Sequence, residues 1–151
     1  MSAPSSTVAS NAQSGDPSVS DDTSVSGQDQ DVFVQYIVLR SDLWKSLGWP
    51  LGSIVAQACH AATAALWLHQ DQPHSQAYCS NGNLDHMHKV VLEVKGDAQL
   101  KNLAEKLQEA GVPHKLWVEQ PEDFVTCLAT APCPKSLIQQ HFKKLKLCKG
   151  T

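Results

Sequence analysis

Apolar positions along the chain fall into short β-branched runs and longer helical stretches. "VFVQYIVLR" (32–40), "KVVLEV" (89–94), "HKLWVE" (114–119) and "DFVTCLATA" (123–131) are rich in Val, Ile and aromatic residues and have the length of buried strands. Between the first two, residues 53 to about 70 carry a helical pattern, with Ser53 in or before the first turn. Residues 96–111 place Leu100, Leu103, Ala104 and Leu107 at helical spacing, with Asp97 as a cap and Gly111 at the end. Residues 134–147, "PKSLIQQHFKKLKL", predict a last helix, opened by Pro134 and carrying Leu137, Ile138, Phe142 and Leu145 on one side. "SDLWKSLGWPLG" (41–52), with its Gly and Pro, reads as a loop, and residues 71–88 as a polar connection with a helical turn around Ser75 to Cys79.

The order is β-α-β-α-β-β-α. Helical crossovers between the first three strands favour parallel pairing, whereas the short link around "QPED" turns the fourth strand back antiparallel. The expected fold is an α/β sandwich: a mixed four-stranded sheet with helices on both faces.

Composition limits the domain to residues 32–151. The first 31 residues hold five acids (Asp16, Asp21, Asp22, Asp29 and Asp31), abundant Ser, and no Lys, Arg or aromatic residue, so they predict a disordered tail. Removing those five from 15 acidic residues leaves ten against 12 basic ones, so the domain is about +2 although the whole chain is −3. That mild excess permits a nucleic-acid partner without requiring one. Five cysteines without C-x-x-C spacing point to reduced thiols. No apolar run is expected to span a bilayer, and the N-terminus has the features of neither a secretory signal nor a mitochondrial presequence; the expected compartment is the cytosol.

The helix "GSIVAQACHAATAAL" (52–66) is almost wholly small and apolar, which suits close packing, but it keeps Gln57 and His60. Ser53, Gln57, His60 and Ala64 lie at offsets of 4, 7 and 11, along one helical stripe. The amide and imidazole are therefore either satisfied structural groups or the lining of a site.

"YIVLRSDL" followed by "IVAQACHAATAAL" resembles the type 2 peptidyl-tRNA hydrolases, the archaeal and eukaryotic family, over roughly residues 34–148. "VAQACHAATAAL" and "LWVEQPE" resemble more closely its divergent subgroup of peptidyl-tRNA hydrolase domain-containing proteins. The resemblance implies a mixed four-stranded sheet flanked by helices. It also implies hydrolysis of the ester joining a peptide to the terminal ribose of tRNA, with no cofactor and no metal. Matching site positions are Gln57, His60 and Thr126, with Glu119 a same-charge replacement. The chain departs from the family where Leu51 and Ser53 stand in place of two loop lysines, the nearest remaining one being Lys45; the loop after Glu119 is also shorter.

Ester hydrolysis needs an activated water and stabilisation of a developing oxyanion. His60 is the candidate base, because imidazoles change charge near neutral pH. Gln57 is the candidate to hold the water or donate to the oxyanion, Glu119 to orient the imidazole or bind ribose, and Thr126 to donate a hydroxyl. Lys143, Lys144 and Lys146 are candidates for tRNA phosphates, and Trp49, with Trp44 nearby, for stacking on the terminal base. The same lysines also suit a helix C-terminus, and the same tryptophans a core. Cys79, His86 and His88 match no common zinc spacing. Two functions stand side by side: a peptidyl-tRNA hydrolase, and a tRNA-binding or protein-interaction module that keeps the fold without the chemistry.

Overall fold

The computed structural model describes residues 31–151; the tail expected over 1–30 lies outside the described residues. Asp31, assigned to that tail, is in contact with the domain: Ser136 donates to its carboxylate from both backbone N–H and hydroxyl.

Four long strands match the apolar runs: β1 (Phe33–Arg40), β2 (Lys89–Val94), β3 (His114–Glu119) and β4 (Phe124–Thr130). Two further pieces, β5 (Cys133–Pro134) and β6 (Lys146–Leu147), make the sheet six-stranded rather than four-stranded. The order is β3-β4-β1-β2-β6, with β5 paired to β1. β1 and β2 are parallel, and β4 lies antiparallel between β1 and β3. The short hairpin loop therefore turns the fourth strand as expected, and it places this late strand inside the sheet, between β3 and β1.

The helices are α1 (Asp42–Lys45), α2 (Leu51–Leu68), α3 (Pro73–Tyr78), α4 (Asp97–Glu109) and α5 (Lys135–Ile138). α4 covers one face of the sheet, where Leu100, Leu103 and Leu107 meet Val34, Tyr36, Val38 and Leu128. α2 covers the other, where Ile54, Ala61 and Ala65 meet Ile37, Leu39, Cys127 and Ala129. The alanines bring its backbone so near that the buried amide of Gln35, on β1, donates to Ala62 O at 2.9 Å. α2 has 18 residues of mean hydropathy 1.3, so one apolar helix does reach the length and composition of a membrane span. Here its apolar face packs on the sheet.

Local expectations fail in three places. Gly96, not Asp97, is the N-cap of α4; Asp97 opens the first turn, where its charge suits the helix dipole, and pairs with Lys101 at 3.1 Å. At the other end, Gly111 at φ +67° lets Val112 N–H reach Leu107 O at 2.9 Å, closing a Schellman cap. The segment 41–52 is not only loop: α1 forms there, and α2 begins at Leu51, ahead of Ser53. The last helix is the largest correction. After α5 comes a 3-10 turn (Gln139–His141), and then β6 pairs with Leu92 and Glu93 of β2. Ile138 and Phe142 are buried, but Leu137 stays 59% exposed, so only part of the helical stripe has a core to face. The edge of β2 needs partners for its backbone groups, and that demand outweighs the local helical pattern.

Candidate functional site

The Arg-Ser-Asp-Leu stretch explains how the end of β1 is fixed. Arg40 is buried and donates from Nε and Nη2 to Asp42 at 2.9 and 2.7 Å, and from Nη1 to Val125 O at 2.8 Å. Its guanidinium also lies 4.6 Å from the centre of the Phe124 ring, whose neighbour at 5.7 Å is Trp49. A planar five-donor fork meets all these partners at once, as a lysine would not. The start of β4 is thereby tied to the end of β1.

A bulge then turns Thr126 inward. Trp117 pairs with Cys127 and Val118 with Val125, which leaves Thr126 without a register partner. In an unbroken strand Thr126 would share the α4 face with Leu128. The extra residue instead directs it to α2, where its hydroxyl donates to Gln57 Oε1 at 2.7 Å. Both side chains are buried, Thr126 fully and Gln57 to 5% exposure. The bond occupies the amide oxygen and leaves the amide N–H groups of Gln57 for other partners.

Glu119 ends β3 two residues beyond Trp117, so both side chains leave the same face of the strand. The Trp117 indole N–H donates to Glu119 Oε2 at 2.9 Å. That bond holds the carboxyl below its ordinary value; desolvation opposes it, and the Gln57 amide and nearby His60 imidazole add to it. His60 stacks on the Trp117 ring, 4.7 Å between centres and 15° between planes, and is exposed to solvent.

Gln57, His60, Glu119 and Thr126 are thus brought together, with Trp117 as the member that sequence reasoning missed. Its signal was its position two residues before a candidate carboxylate in a strand. The site is an open surface: its floor is the buried Gln57–Thr126 pair and its rim is His60 and Glu119. Such an arrangement offers a base, a carboxylate beside it and an oriented amide donor, the elements that acyl transfer to water requires.

The tRNA candidates do not share one surface. Lys144 and Lys146 line a cleft beside α4, and Lys143 is exposed outside it. Trp49 is half-buried on the α2 side, lining an apolar cleft of about 660 Å³ together with Trp44. Of the two positions where the resembling family carries lysines, Ser53 lies one turn before Gln57, while Leu51 faces the apolar cleft. Lys45 pairs with Glu93 at 3.2 Å, beside β2.

Comparison with known proteins agrees with this architecture. The family described as peptidyl-tRNA hydrolase PTH2 matches residues 33–148, and the chain belongs to that family. The mouse and human proteins named "Putative peptidyl-tRNA hydrolase PTRHD1" are each 51% identical to it over 125 residues, covering 82% of this chain and 88% of theirs. A peptidyl-tRNA hydrolase of Thermococcus onnurineus is 30% identical over 122 residues, 76% of this chain and 97% of its own.

Proposed function

We propose that this chain hydrolyses the ester between a peptide and the terminal ribose of tRNA, using His60, Gln57, Glu119 and Trp117 on the floor set by Thr126. The imidazole of His60 takes a proton from a water as it attacks the ester carbonyl. The Gln57 amide N–H donates to the oxyanion that forms on the carbonyl oxygen. Glu119 favours the imidazolium, which then returns the proton to the departing ribose oxygen. Thr126 positions Gln57, and the Trp117 ring positions the imidazole. The observation that carries this reading is the convergence of the α2 imidazole and the β3 carboxylate on one exposed rim, above an α2 amide fixed by Thr126 of β4. A reducing, cytosolic setting belongs to the same proposal, supported by five free cysteines.

The test is single-turnover release of tRNA from a peptidyl-tRNA. His60→Ala should slow it by about 10²-fold or more, the usual contribution of a positioned general base. Leu51 and Ser53 at the family's lysine positions favour a second reading, a tRNA-binding or interaction module without chemistry. That reading replaces the first if the parent releases no tRNA; release by His60→Ala as fast as by the parent overturns His60 as the base.

A further inference from the structure

A cleft of about 640 Å³ lies away from the ester-cleaving residues, between α4 and the segment that follows α5. Lys45, Lys95, Lys106, Lys144 and Lys146 line it, and they come from four different parts of the chain. Glu93 is the one carboxylate in its wall, and Lys45 already pairs with it. Among the described residues the other four lysines have no carboxylate within salt-bridge distance. Holding like charges around a concavity costs energy unless an anion takes up their field, and a cleft concentrates that field. Gln99, Asn102 and Gln140 interleave with the cations and supply neutral hydrogen-bonding groups. Of the apolar residues in the wall, Val94 and Leu103 are buried in the core and Leu145 packs against it, so the cleft presents no wedge for insertion into lipid.

The cleft reaches the same edge of the sheet as the candidate site. Ser41 and Lys95 follow the ends of β1 and β2, and both line it. β3 runs in the same direction as these strands, because each of β1 and β3 is antiparallel to β4. Glu119 therefore stands on the same edge of the sheet as the mouth of the cleft. Three strand spacings separate β2 from β3, roughly 14 Å at about 4.8 Å each.

We propose that this cleft seats the phosphodiester backbone of the tRNA, so that the chain holds RNA along the sheet edge with its ester end at His60; this rests on the hydrolase reading above for the identity of the RNA. Lys95 and Lys106 join Lys144 and Lys146 as phosphate contacts, and Lys143 is outside the contact.

The test is titration of full-length protein into fluorescently labelled deacylated tRNA at several salt concentrations. Each phosphate contact contributes about 0.9 to the log–log salt slope, or about five-fold in affinity near 0.15 M salt. Lys95→Gln with Lys106→Gln should therefore weaken binding roughly 30-fold and flatten the slope by about 1.8. Lys144→Gln with Lys146→Gln should act similarly, so the test does not depend on one variant folding; matched thermal midpoints check both. Lys115→Gln with Lys135→Gln removes the same charge outside the cleft and should stay within about two-fold of the parent, the usual scale of one weak long-range charge effect. The proposal is overturned if the parent does not bind tRNA, or if the cleft and control pairs weaken equally. An unchanged salt slope in the cleft variants overturns it too. Equal losses of binding to phosphatidylserine vesicles and to tRNA also overturn it, by making the cleft a general anionic surface. If cleft-dependent binding holds while the parent releases no tRNA, the hydrolase reading fails and the RNA cleft stands.

Discussion

Replacing Thr126 by Val keeps the shape of the side chain and removes the one hydroxyl that satisfies Gln57 Oε1. Thr126 is fully buried and Gln57 nearly so, hence water cannot readily replace the lost donor. A typical buried hydrogen bond contributes about 0.5–1.5 kcal/mol net, and an orphaned buried acceptor costs about 1–3 kcal/mol. Thr126→Val should therefore cost about 1–3 kcal/mol, which for a domain of this size corresponds to roughly 4–12 °C in Tm. Adding Gln57→Met removes the orphaned amide as well. The double variant should return to within about 1 kcal/mol of the parent, leaving a coupling energy of about 1–2 kcal/mol. Urea unfolding of the four proteins, with constant m, measures this cycle. The same substitution frees the Gln57 amide to rotate, so Thr126→Val should lower the hydrolytic rate about ten-fold, the effect of losing one oriented donor in part. Thr126→Ser, which keeps the hydroxyl, should restore most of that rate. Additive stabilities, or a Thr126→Val variant within about 0.3 kcal/mol of the parent, would refute the bulge-directed bond as the element that fixes Gln57.

Trp117→Phe keeps a ring beneath His60 but removes the indole donor, so the Glu119 carboxyl should rise toward the usual range. The stability this carboxylate supplies is present above its unfolded pKa and lost as pH falls through the depressed folded one. The variant should lose that contribution and show its acid limb of activity at higher pH; an unmoved Glu119 carbon-13 titration would contradict this. Ser53→Lys should raise peptidyl-tRNA hydrolysis and Leu51→Lys should not, because Ser53 lies a turn from Gln57 while Leu51, 74% exposed, faces the apolar cleft. Initial rates decide it, after allowing about 0.3–1 kcal/mol of stability for a cation at a helix N-terminus.

The long strands and the two principal helices were legible because each buries a regular stripe against a full layer. The strand runs 89–94 and 114–119 coincide with β2 and β3. The last segment was not legible, because its fate depends on a distant edge: Lys146 and Leu147 answer the open side of β2, which no window around residue 146 contains. Gln57 and His60 stood out as polar breaks in an alanine-rich helix, and Glu119 and Thr126 followed from resemblance. The bulge was invisible, since "FVTCLAT" carries no Gly or Pro to announce it; it appears only when Val118 pairs with Val125. The cleft lysines were half legible. Lys144 and Lys146 cluster in sequence, but Lys45, Lys95 and Lys106 are scattered along it and join them only through packing.

The interior place of β4, beside β1, sets a timetable for synthesis. β1 pairs with β2 on one side and with β4 on the other, and about 80 residues separate Arg40 from Phe124. At roughly 5–20 residues per second, β1 waits about 4–16 s on the ribosome with one flank unpaired. That flank belongs to the stretch Val34–Leu39, which is entirely buried once folded and carries no Lys or Pro to discourage pairing with another chain. The floor of the site forms only when the same late strand arrives. A chain released before residue 124 therefore has neither Thr126 to seat against Gln57 nor a partner for that flank of β1, and ribosome stalling within this message would yield sticky fragments without the floor of the site.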